Sequence, residues 1–302
     1  MRTNTPRAAS SGGDFCPVAG AAPRTIADGQ SLRDAVIAAR QAGKTIGLVP
    51  TMGALHEGHL SLVDAAHAEC DVVVVTIFVN PAQFSPEEDL RRYPRDLERD
   101  FSLLSLHGCD YVFVPTDDEI YKPDHGTFID VGPIGQVLEG EFRSTHFRGV
   151  ATVVLKLFNL APAHFAYFGR KDYQQTLVVR QMTADLNVPI DVRVCPIVRE
   201  ADGLAMSSRN AYLTADERRR APVLHLALQI AAELISSGEH DVATIQQQME
   251  REIERVGGVD VQYIAFMTDG AVRPVEQITG PTTIAIAATV GKSRLIDNVL
   301  VS

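Results

Sequence analysis

Two histidines stand around a Glu-Gly pair in the stretch PTMGALHEGHLSLV, residues 50–63. His56 and His59 are three positions apart, so on a helix they would lie on one face. The stretch follows a short apolar run and leads into a helical pattern, and a helix N-terminus favours phosphate because its N–H groups are unpaired. Gly53 and Gly58 would let a ligand approach the backbone closely. Two imidazoles here could donate hydrogen bonds to phosphate oxygens and to charge that develops during group transfer.

The same histidines also allow a metal site or an ordinary helix start. Zinc peptidases of the H-E-x-x-H type place their histidines four positions apart, whereas this stretch reads H-E-G-H. His56 and His59 could still bind zinc as a pair, but the sequence suggests no third ligand. The spacing alone therefore weakens the zinc interpretation. It leaves a nucleotide site and a plain helix with exposed histidines both open.

A second polar loop, NPAQF, comes directly after a strongly apolar run. Its amides, Asn80 and Gln83, suit a substrate that is rich in hydroxyl and carboxylate groups. Asn-Pro is also a common way to open a turn, and a turn is the simpler interpretation of this loop taken alone.

Two further loops carry cations. In FGRKDYQQ, residues 168–175, Lys171 could hold a phosphate, Asp172 could cap the following helix, and Gln175 would share a face with Lys171. In AMSSR, residues 205–209, two hydroxyls and an arginine could close over a polyphosphate, although a solvated linker would look similar. Each loop is a modest signal, but together the four loops indicate phosphate chemistry on a nucleotide.

Alternating strands and helices are expected to position these loops. The run DVVVVTIFVNP is apolar or β-branched at nearly every position, which is typical of a parallel strand buried on both faces. The first helix is expected to begin at Ser31, with Asp34 completing a capping box and Gly43 ending it. After the first histidine loop a helix is expected with Leu60, Val63 and Ala66 on one face. Further helices are expected at 97–106, 150–160 and 172–186, with strands at 45–50, 71–81, 111–115, 164–169 and 189–198. This alternation predicts a doubly wound, Rossmann-like parallel sheet with all four loops at the carboxyl ends of strands.

The chain is expected to divide into three parts. Residues 1–24 are rich in Ala, Ser, Gly, Pro and Thr without a continuous apolar segment, which predicts a disordered tail and not a signal peptide. Residues 25–198 would form the nucleotide-binding domain. Residues 199–302 would form a smaller α+β domain, in which helices at 214–236 and 241–256 precede three strands.

Composition restricts the function further. A chain of 302 residues with a formal net charge of −10 is not expected to bind nucleic acid. No window reaches the roughly 18 apolar residues of a membrane span, so we expect a cytoplasmic protein without a membrane partner. The four cysteines form no C-x-x-C pair and match no zinc spacing, so we expect reduced, buried thiols and no bound metal. These cysteines are Cys16, Cys70, Cys109 and Cys195.

The four loops together resemble one known family. PTMGALHEGH resembles the HIGH-type signature of the nucleotidylyltransferase superfamily, and AMSSR resembles its KMSKS-type counterpart. The longer strings VPTMGALHEGHL, IFVNPAQF, FGRKDYQQ and READGLAMSSRN are similar to those of the pantoate–β-alanine ligase family, from about Thr45 to Asn298. The resemblance implies that the carboxylate of (R)-pantoate attacks the α-phosphorus of Mg-ATP, giving pantoyl adenylate and pyrophosphate. The amine of β-alanine then displaces AMP and gives pantothenate.

The resemblance also implies roles for individual residues. His59 would donate a proton or stabilise an oxyanion, His56 would contact phosphate, and Gln83 and Gln175 would hold pantoate, with Gln83 also reaching β-alanine. The implied ATP-binding residues are Met52, Gly53, Ala54, Leu55, His56, Glu57, Gly58, His59, Gly169, Arg170, Lys171, Asp172, Val198, Met206, Ser207, Ser208 and Arg209. The implied catalytic residues are His56, His59, Lys171, Ser207, Ser208 and Arg209. Asn80, Tyr93 and Arg143 are further site candidates, and the family pattern also implies Mg²⁺ and a homodimer.

One position departs from the family pattern. The third motif usually reads F-G-E-K-D, whereas this chain carries Arg170 in place of the Glu. If the position acts through its backbone and its side chain points outward, the change has little effect. If the usual Glu positions Lys171, a reversal of charge would weaken that role. Our expectation is the first of these.

Three other functions compete with the ligase. A related adenylyltransferase acting on a phosphomonoester would leave a stable dinucleotide and no free AMP. A regulatory protein that has lost catalysis would bind ATP without turnover, and a zinc hydrolase would contain stoichiometric zinc. The four loops in order favour the ligase over all three.

Overall fold

The computed structural model describes residues 22–84, 90 and 93–302, and within them the chain forms nine strands and ten α-helices. The strands are β1 (Arg24–Ile26), β2 (Ile46–Thr51), β3 (Val72–Ile77), β4 (Tyr111–Phe113), β5 (Phe165–Gly169), β6 (Asp191–Cys195), β7 (Asp260–Thr268), β8 (Thr282–Val290) and β9 (Ser293–Val301). The helices are α1 (Gly29–Gln41), α2 (Glu57–Glu69), α3 (Leu97–Leu104), α4 (Asp117–Ile120), α5 (Glu139–Phe142), α6 (His146–Leu160), α7 (Tyr173–Asp185), α8 (Ala215–Arg220), α9 (Val223–Ser236) and α10 (Val242–Val256).

Six strands form a parallel sheet in the order β1-β4-β3-β2-β5-β6. From β2 the chain builds outward through β3 and β4, and it then returns to place β5 on the other side of β2. This reversal creates a topological switch point between β2 and β5, which is where doubly wound sheets bind their ligands. The predicted doubly wound fold is therefore confirmed.

The most apolar strand, β3, is buried along its whole length. Because successive side chains of a strand point to opposite faces, Val72 and Val74 join one hydrophobic core while Val73 and Val75 join another. Helix α6 covers the first core and α2 covers the second. The prediction of a strand buried on both faces is confirmed.

The second unit of the fold is a three-stranded antiparallel sheet, β7-β8-β9. Leu228 of α9 and Ile284 of β8 belong to its separate hydrophobic core. A small apolar cluster joins this unit to the first, because Tyr173 of α7 packs with Met267 and Ala285 of the antiparallel sheet. The predicted small α+β domain is confirmed as an architecture, while a boundary near residue 198 stays a prediction.

The first helix begins earlier than predicted. The carboxylate of Asp28 accepts hydrogen bonds from the backbone N–H groups of Gln30 and Ser31 at 3.1 and 3.0 Å, so Asp28 is the N-cap. Ser31 therefore lies inside the helix, and the predicted capping box is wrong. Asp34 instead accepts a hydrogen bond from the side chain of Gln30 at 2.8 Å.

Two further predictions need correction. The helix predicted at 214–236 is two helices, because Pro222 has no N–H to donate and its ring excludes a continuous helix. Arg24, the last residue of the predicted tail, pairs with β4 as part of β1. Residues 1–21 of the predicted tail lie outside the described residues.

The described thiols are all free, and Cys70 and Cys109 are buried as predicted. Cys195 is only partly buried, and Cys16 lies outside the described residues. Among the described helices, none combines the length and the apolar character needed to cross a membrane.

Candidate active site

The loop between β2 and α2 is held by an aspartate that the sequence did not reveal as important. Asp100 of α3 accepts hydrogen bonds from the backbone N–H groups of Ala54 at 3.0 Å and Leu55 at 2.8 Å. Gly53 has φ +80°, and a Cβ there would lie 3.0 Å from the carboxylate of Asp100, so only glycine fits without strain. These amides therefore serve the protein's own carboxylate, and Leu55 is buried in the core.

His56 and His59 lie in contact at the start of α2, with their ring planes tilted by 36°. Their ring centroids are 4.1 Å apart. His56 is the N-cap, and its Nδ1 accepts a hydrogen bond from the N–H of Gly58 at 3.2 Å, which leaves the proton of the neutral ring on Nε2. The Nδ1 of His59 is buried without a hydrogen-bond partner among the described residues, and such an atom calls for water or a ligand.

Both imidazoles are neutral near pH 7. Loss of solvation lowers the pKa of His56 to about 4, and the positive charge of Lys171 adds to this. Loss of solvation lowers the pKa of His59 to about 3, with further contributions from His56 and Lys171. The pair can therefore donate hydrogen bonds but does not supply a formal positive charge.

In the NPAQF loop, the side-chain amide of Gln83 lines the cleft, and the side-chain amide of Asn80 holds it in position. Asn80 is 1% exposed and donates from Nδ2 to the Oε1 of Gln83 at 3.0 Å and to the carbonyl of Gly149 at 3.1 Å. The hydroxyl of Tyr121 donates to the Oδ1 of Asn80 at 2.8 Å. A Cβ on Gly149 would lie 2.3 Å from the carbonyl oxygen of Ala82, so glycine lets α6 press closely against this loop. Asn80 therefore positions Gln83, which lines the cleft.

A third histidine, His146, supports the same region and was missed by sequence reasoning. Its Nδ1 lies 3.0 Å from the carbonyl of Gln83 and its Nε2 lies 3.0 Å from Nη1 of Arg143. Since a carbonyl can only accept, Nδ1 carries the proton and Nε2 accepts from the guanidinium. Burial, followed by the charge of Arg143, lowers the pKa of His146 to about 3. The only sequence signal was a histidine three residues after a candidate arginine.

The turn after β5 brings Lys171 to the switch point. Arg170–Asp172 forms one 3₁₀ turn between β5 and α7, and Lys171 and Gln175 both line the cleft, as the predicted shared face requires. Asp172 occupies the N-cap position of α7, but its side chain makes no capping hydrogen bond, so the predicted cap is wrong. Asp172 lines the cleft instead.

Arg170 does not point outward as expected. Its Nη2 donates to Asp269 Oδ1 and to Thr283 Oγ1, each at 2.9 Å, in the second unit of the fold. Tyr173 OH lies 3.3 Å from the same carboxylate oxygen of Asp269. The side chain at this position thus joins the Lys171 turn to the antiparallel sheet.

The fourth loop closes the cleft from the second unit. The N–H of Met206 donates to the carbonyl of Val198 at 3.0 Å, and the Oγ of Ser207 accepts from the N–H of Arg209 at 3.3 Å. Burial raises the pKa of Tyr93, while its hydrogen bond with Ser208 acts in the opposite direction. Tyr93 therefore contacts this loop directly.

All four loops meet in one cleft of about 200 Å³. The predicted residues that line it are Met52, His56, Gly58, His59, Asn80, Gln83, Tyr93, Arg143, Gly169, Lys171, Asp172, Gln175, Val198, Met206, Ser207, Ser208 and Arg209. The predicted residues that do not line it are Gly53, Ala54, Leu55, Glu57 and Arg170. Contact of these five with ATP finds no support in the geometry and stays a prediction.

A second cavity, of about 650 Å³, adjoins the first. Lys171, Arg143 and Arg209 line both cavities. The antiparallel sheet adds Lys292 and Arg294 to the second cavity, where Arg294 is already paired with the carboxylate of Glu139, and sequence reasoning missed both cations. Anionic ligands are thus expected where the cavities meet, although the chain as a whole is acidic.

Sequence comparison relates this chain to one family of known proteins. The sequence model of the family described as Pantoate-beta-alanine ligase matches residues 24–300. The chain is 51% identical to the pantothenate synthetase of Moorella thermoacetica over 89% of this chain and 95% of that protein. It is 54% identical to the pantothenate synthetase of Roseiflexus castenholzii over 84% of this chain and 91% of that protein.

Solved structures agree with the sequence comparison. The crystal structure of pantothenate synthetase from Thermus thermophilus superposes with a TM-score of 0.87 at 43% identity, covering 91% of this chain and 98% of that one. The pantoate-beta-alanine ligase of Francisella tularensis, complexed with beta-gamma ATP and beta-alanine, superposes with a TM-score of 0.78 at 33% identity, covering 92% and 98%.

Proposed function

Because this chain belongs to the pantoate–β-alanine ligase family, we propose that the cleft at the switch point holds ATP and pantoate side by side. The enzyme condenses (R)-pantoate with β-alanine at the expense of ATP, and it forms pantothenate, AMP and pyrophosphate. The observation that supports this use of the cleft is the convergence of all four polar loops on one cavity.

The chemistry requires two anions to be held together. A carboxylate oxygen of pantoate attacks the α-phosphorus of ATP, and the bond from that phosphorus to the bridging oxygen breaks to release pyrophosphate. The nitrogen of β-alanine then attacks the acyl carbon, AMP leaves, and the new amide nitrogen loses a proton. The protein must neutralise the growing phosphate charge and fix the attacking oxygen in line.

Cationic side chains and neutral hydrogen-bond donors both stabilise the negative charge on the phosphates. Lys171 and Arg209 line the cleft and supply positive charge for the ATP phosphates. His56, neutral with its proton on Nε2, donates a hydrogen bond to a phosphate oxygen without repelling the neighbouring cations. His59, with an unpartnered buried nitrogen, stabilises the oxygen that becomes more negative in the transition state.

The cleft also matches the mixed character of pantoate, which carries a carboxylate, hydroxyls and two methyl groups. Gln83 and Gln175 present amides for the polar groups. Phe78, Val150 and Val154 line the same cleft and give the methyl groups an apolar wall. The amides thereby fix the orientation of the attacking carboxylate.

β-Alanine enters from the adjoining cavity. Arg143 lines both cavities, and the hydrogen bond of its guanidinium to His146 fixes its direction. A guanidinium held in this way suits the carboxylate of β-alanine. Gln83 lies next to the same support and contacts the amine as well as pantoate.

The loop that carries Met206, Ser207, Ser208 and Arg209 closes over the ATP phosphates. It lies at the junction of the two cavities, and Tyr93 holds it through Ser208. Closure of such a loop excludes water from the acyl adenylate, which hydrolysis would otherwise destroy.

Mg²⁺ enters this proposal as the partner of the ATP phosphates. Among the described residues no cluster of three or more His, Cys, Asp or Glu side chains could hold a metal ion. This fits Mg²⁺, which keeps several waters and binds mainly through substrate phosphates and one or two carboxylates. Asp172 is the carboxylate of the first cavity that would hold it, and the ion would neutralise charge on the departing pyrophosphate.

Three broader features complete the proposal. The chain divides into residues 25–198 and 199–302, it forms a homodimer, and it acts in the cytoplasm. Light scattering of the purified protein tests the homodimer, and a mass of one chain, 32.8 kDa, would contradict it.

The function is tested by omitting each substrate in turn. The purified protein is incubated with ATP, Mg²⁺, pantoate and β-alanine, and AMP, pyrophosphate and pantothenate are measured. The proposal predicts one AMP and one pyrophosphate per pantothenate, with sustained AMP release only when both organic substrates are present. AMP release that is independent of pantoate or of β-alanine would refute it.

A further inference from the structure

A buried amide on the last strand holds the turn that carries Lys171. Asn298 of β9 is 2% exposed, and its Nδ2 donates to the backbone carbonyls of Arg170 at 3.0 Å and Lys171 at 3.1 Å. Both hydrogens of the amide are thereby used on two consecutive carbonyls of one turn. A single side chain thus ties the antiparallel sheet to the backbone of this turn.

The preceding residue holds the loop on the other side of the cleft. Asp297 is 3% exposed and forms a two-pronged ion pair with Arg199, with distances of 2.6 Å and 2.9 Å. The guanidinium of Arg199 also donates to the carbonyl of Gly203 at 3.0 Å. The backbone of Arg199 forms an isolated antiparallel β-bridge with Ala205. The ion pair therefore fixes the base of the segment that leads directly into Met206.

Adjacent residues of a strand point to opposite sides, so one strand can reach two loops at once. We propose that Asp297 and Asn298 are positioning residues of the ligase reaction, which fix the Lys171 turn and the Met206–Arg209 loop relative to each other. This inference rests on the proposed function. It makes the antiparallel sheet part of the phosphate-binding machinery, because the two cation-bearing loops share one anchor.

The alternative is that this pair only stabilises the fold. The two roles differ in what happens when the hydrogen bonds are removed but the fold survives. If the pair positions Lys171 and Arg209, their displacement by a fraction of an ångström lowers the rate of adenylate formation, since small misplacements can cost about a hundredfold. If the pair only stabilises the fold, activity falls no further than the folded fraction.

The test uses Asn298→Leu, which keeps nearly the size and branching of the side chain and removes both donor hydrogens without adding a charge beside Lys171. Asp297→Asn is a second variant, which keeps the shape and removes the charge opposite Arg199. Thr282→Val is the matched control, because Thr282 is a buried polar residue of the same sheet whose hydroxyl donates to the nearby carbonyl of Gly280. Folded fraction and Tm are measured for every variant beside steady-state kinetics.

We expect kcat per folded molecule to fall about tenfold to a hundredfold in Asn298→Leu and Asp297→Asn, with the KM for pantoate within about twofold of the original value. Thr282→Val should keep its kcat at a similar loss in Tm. If the two β9 variants keep the original kcat per folded molecule, or match Thr282→Val, the inference is wrong. If the unmodified protein itself releases no AMP from the complete mixture, the proposed function fails instead.

Discussion

His56 and His59 lie with ring centroids 4.1 Å apart at the start of α2, and both imidazoles are neutral near pH 7. Burial lowers the pKa of both rings, and the positive charge of Lys171 lowers both further. The pair therefore supplies directed hydrogen bonds, while Lys171 and Arg209 supply the charge.

His59 is expected to act mainly in the transition state. His59→Ala should lower the rate of adenylate formation by about a hundredfold or more, because it removes a preorganised donor. Isotope exchange between pyrophosphate and ATP in the presence of pantoate measures this step without β-alanine. His67→Ala is the control, since His67 is exposed on the same helix. Equal exchange rates in the two variants would refute the role of His59.

His146 should make stability depend on pH. An unfolded histidine gains a proton near pH 6.5, whereas the pKa of His146 in the folded protein is lowered to about 3 by burial and by Arg143. The unfolded form therefore binds more protons below pH 6.5, and the free energy of unfolding decreases as the pH falls towards 3. Between pH 7 and pH 5 this one group accounts for about 2 kcal/mol.

Urea unfolding at these two pH values measures the effect. His146→Asn keeps a donor for the carbonyl of Gln83 but cannot titrate. Its loss of stability between pH 7 and pH 5 should be smaller than that of the unmodified protein by about 2 kcal/mol. Identical losses in the two proteins would show that His146 is not held neutral.

Gln83 is expected to govern the use of pantoate. Gln83→Ala leaves polar groups of the substrate and one N–H of the Asn80 amide without a partner, and such losses cost about 1–3 kcal/mol each. We predict that kcat/KM for pantoate falls at least about tenfold while the KM for ATP changes little. Initial rates at varied pantoate provide the measurement, with the exposed Gln247→Ala as control. An unchanged kcat/KM for pantoate would remove Gln83 from the site.

The stability of the protein should depend on the ion pair that Arg170 forms with Asp269 across the two units of the fold. Arg170→Glu would set a carboxylate against Asp269, where the guanidinium now donates at 2.9 Å. We expect a loss of about 1–3 kcal/mol in the free energy of unfolding, because two partly buried groups lose their hydrogen bond and repel each other. The double variant Arg170→Glu, Asp269→Arg should recover part of this loss. A single variant as stable as the original protein would contradict the role of the ion pair.

Local pattern was enough to predict the fold and the four loops. The apolar and β-branched side chains of β3 alternate between the two faces of the strand, so both faces must be covered, and this requirement led to the parallel sheet. Once the sheet is parallel, its carboxyl ends bring His59, Gln83 and Lys171 together.

Polar residues that hold the site loops from distant parts of the chain could not be predicted from local pattern. Asp100 binds the loop at Leu55 from 45 residues away, and His146 binds Gln83 from 63 residues away. Each is an ordinary polar residue in its local sequence, and its partner is determined only by the packing of the helices. The contact of Arg170 with Asp269 spans 99 residues and was missed for the same reason.

In the proposed mechanism, pantoate passes through an acyl adenylate in this cleft. The most direct measurement uses pantoate labelled with ¹⁸O in its carboxylate, together with ATP, Mg²⁺ and β-alanine, and mass spectrometry of the products. One labelled oxygen should appear in the phosphate of AMP and the other in the amide carbonyl of pantothenate. Unlabelled AMP, or label in pyrophosphate, would contradict this mechanism.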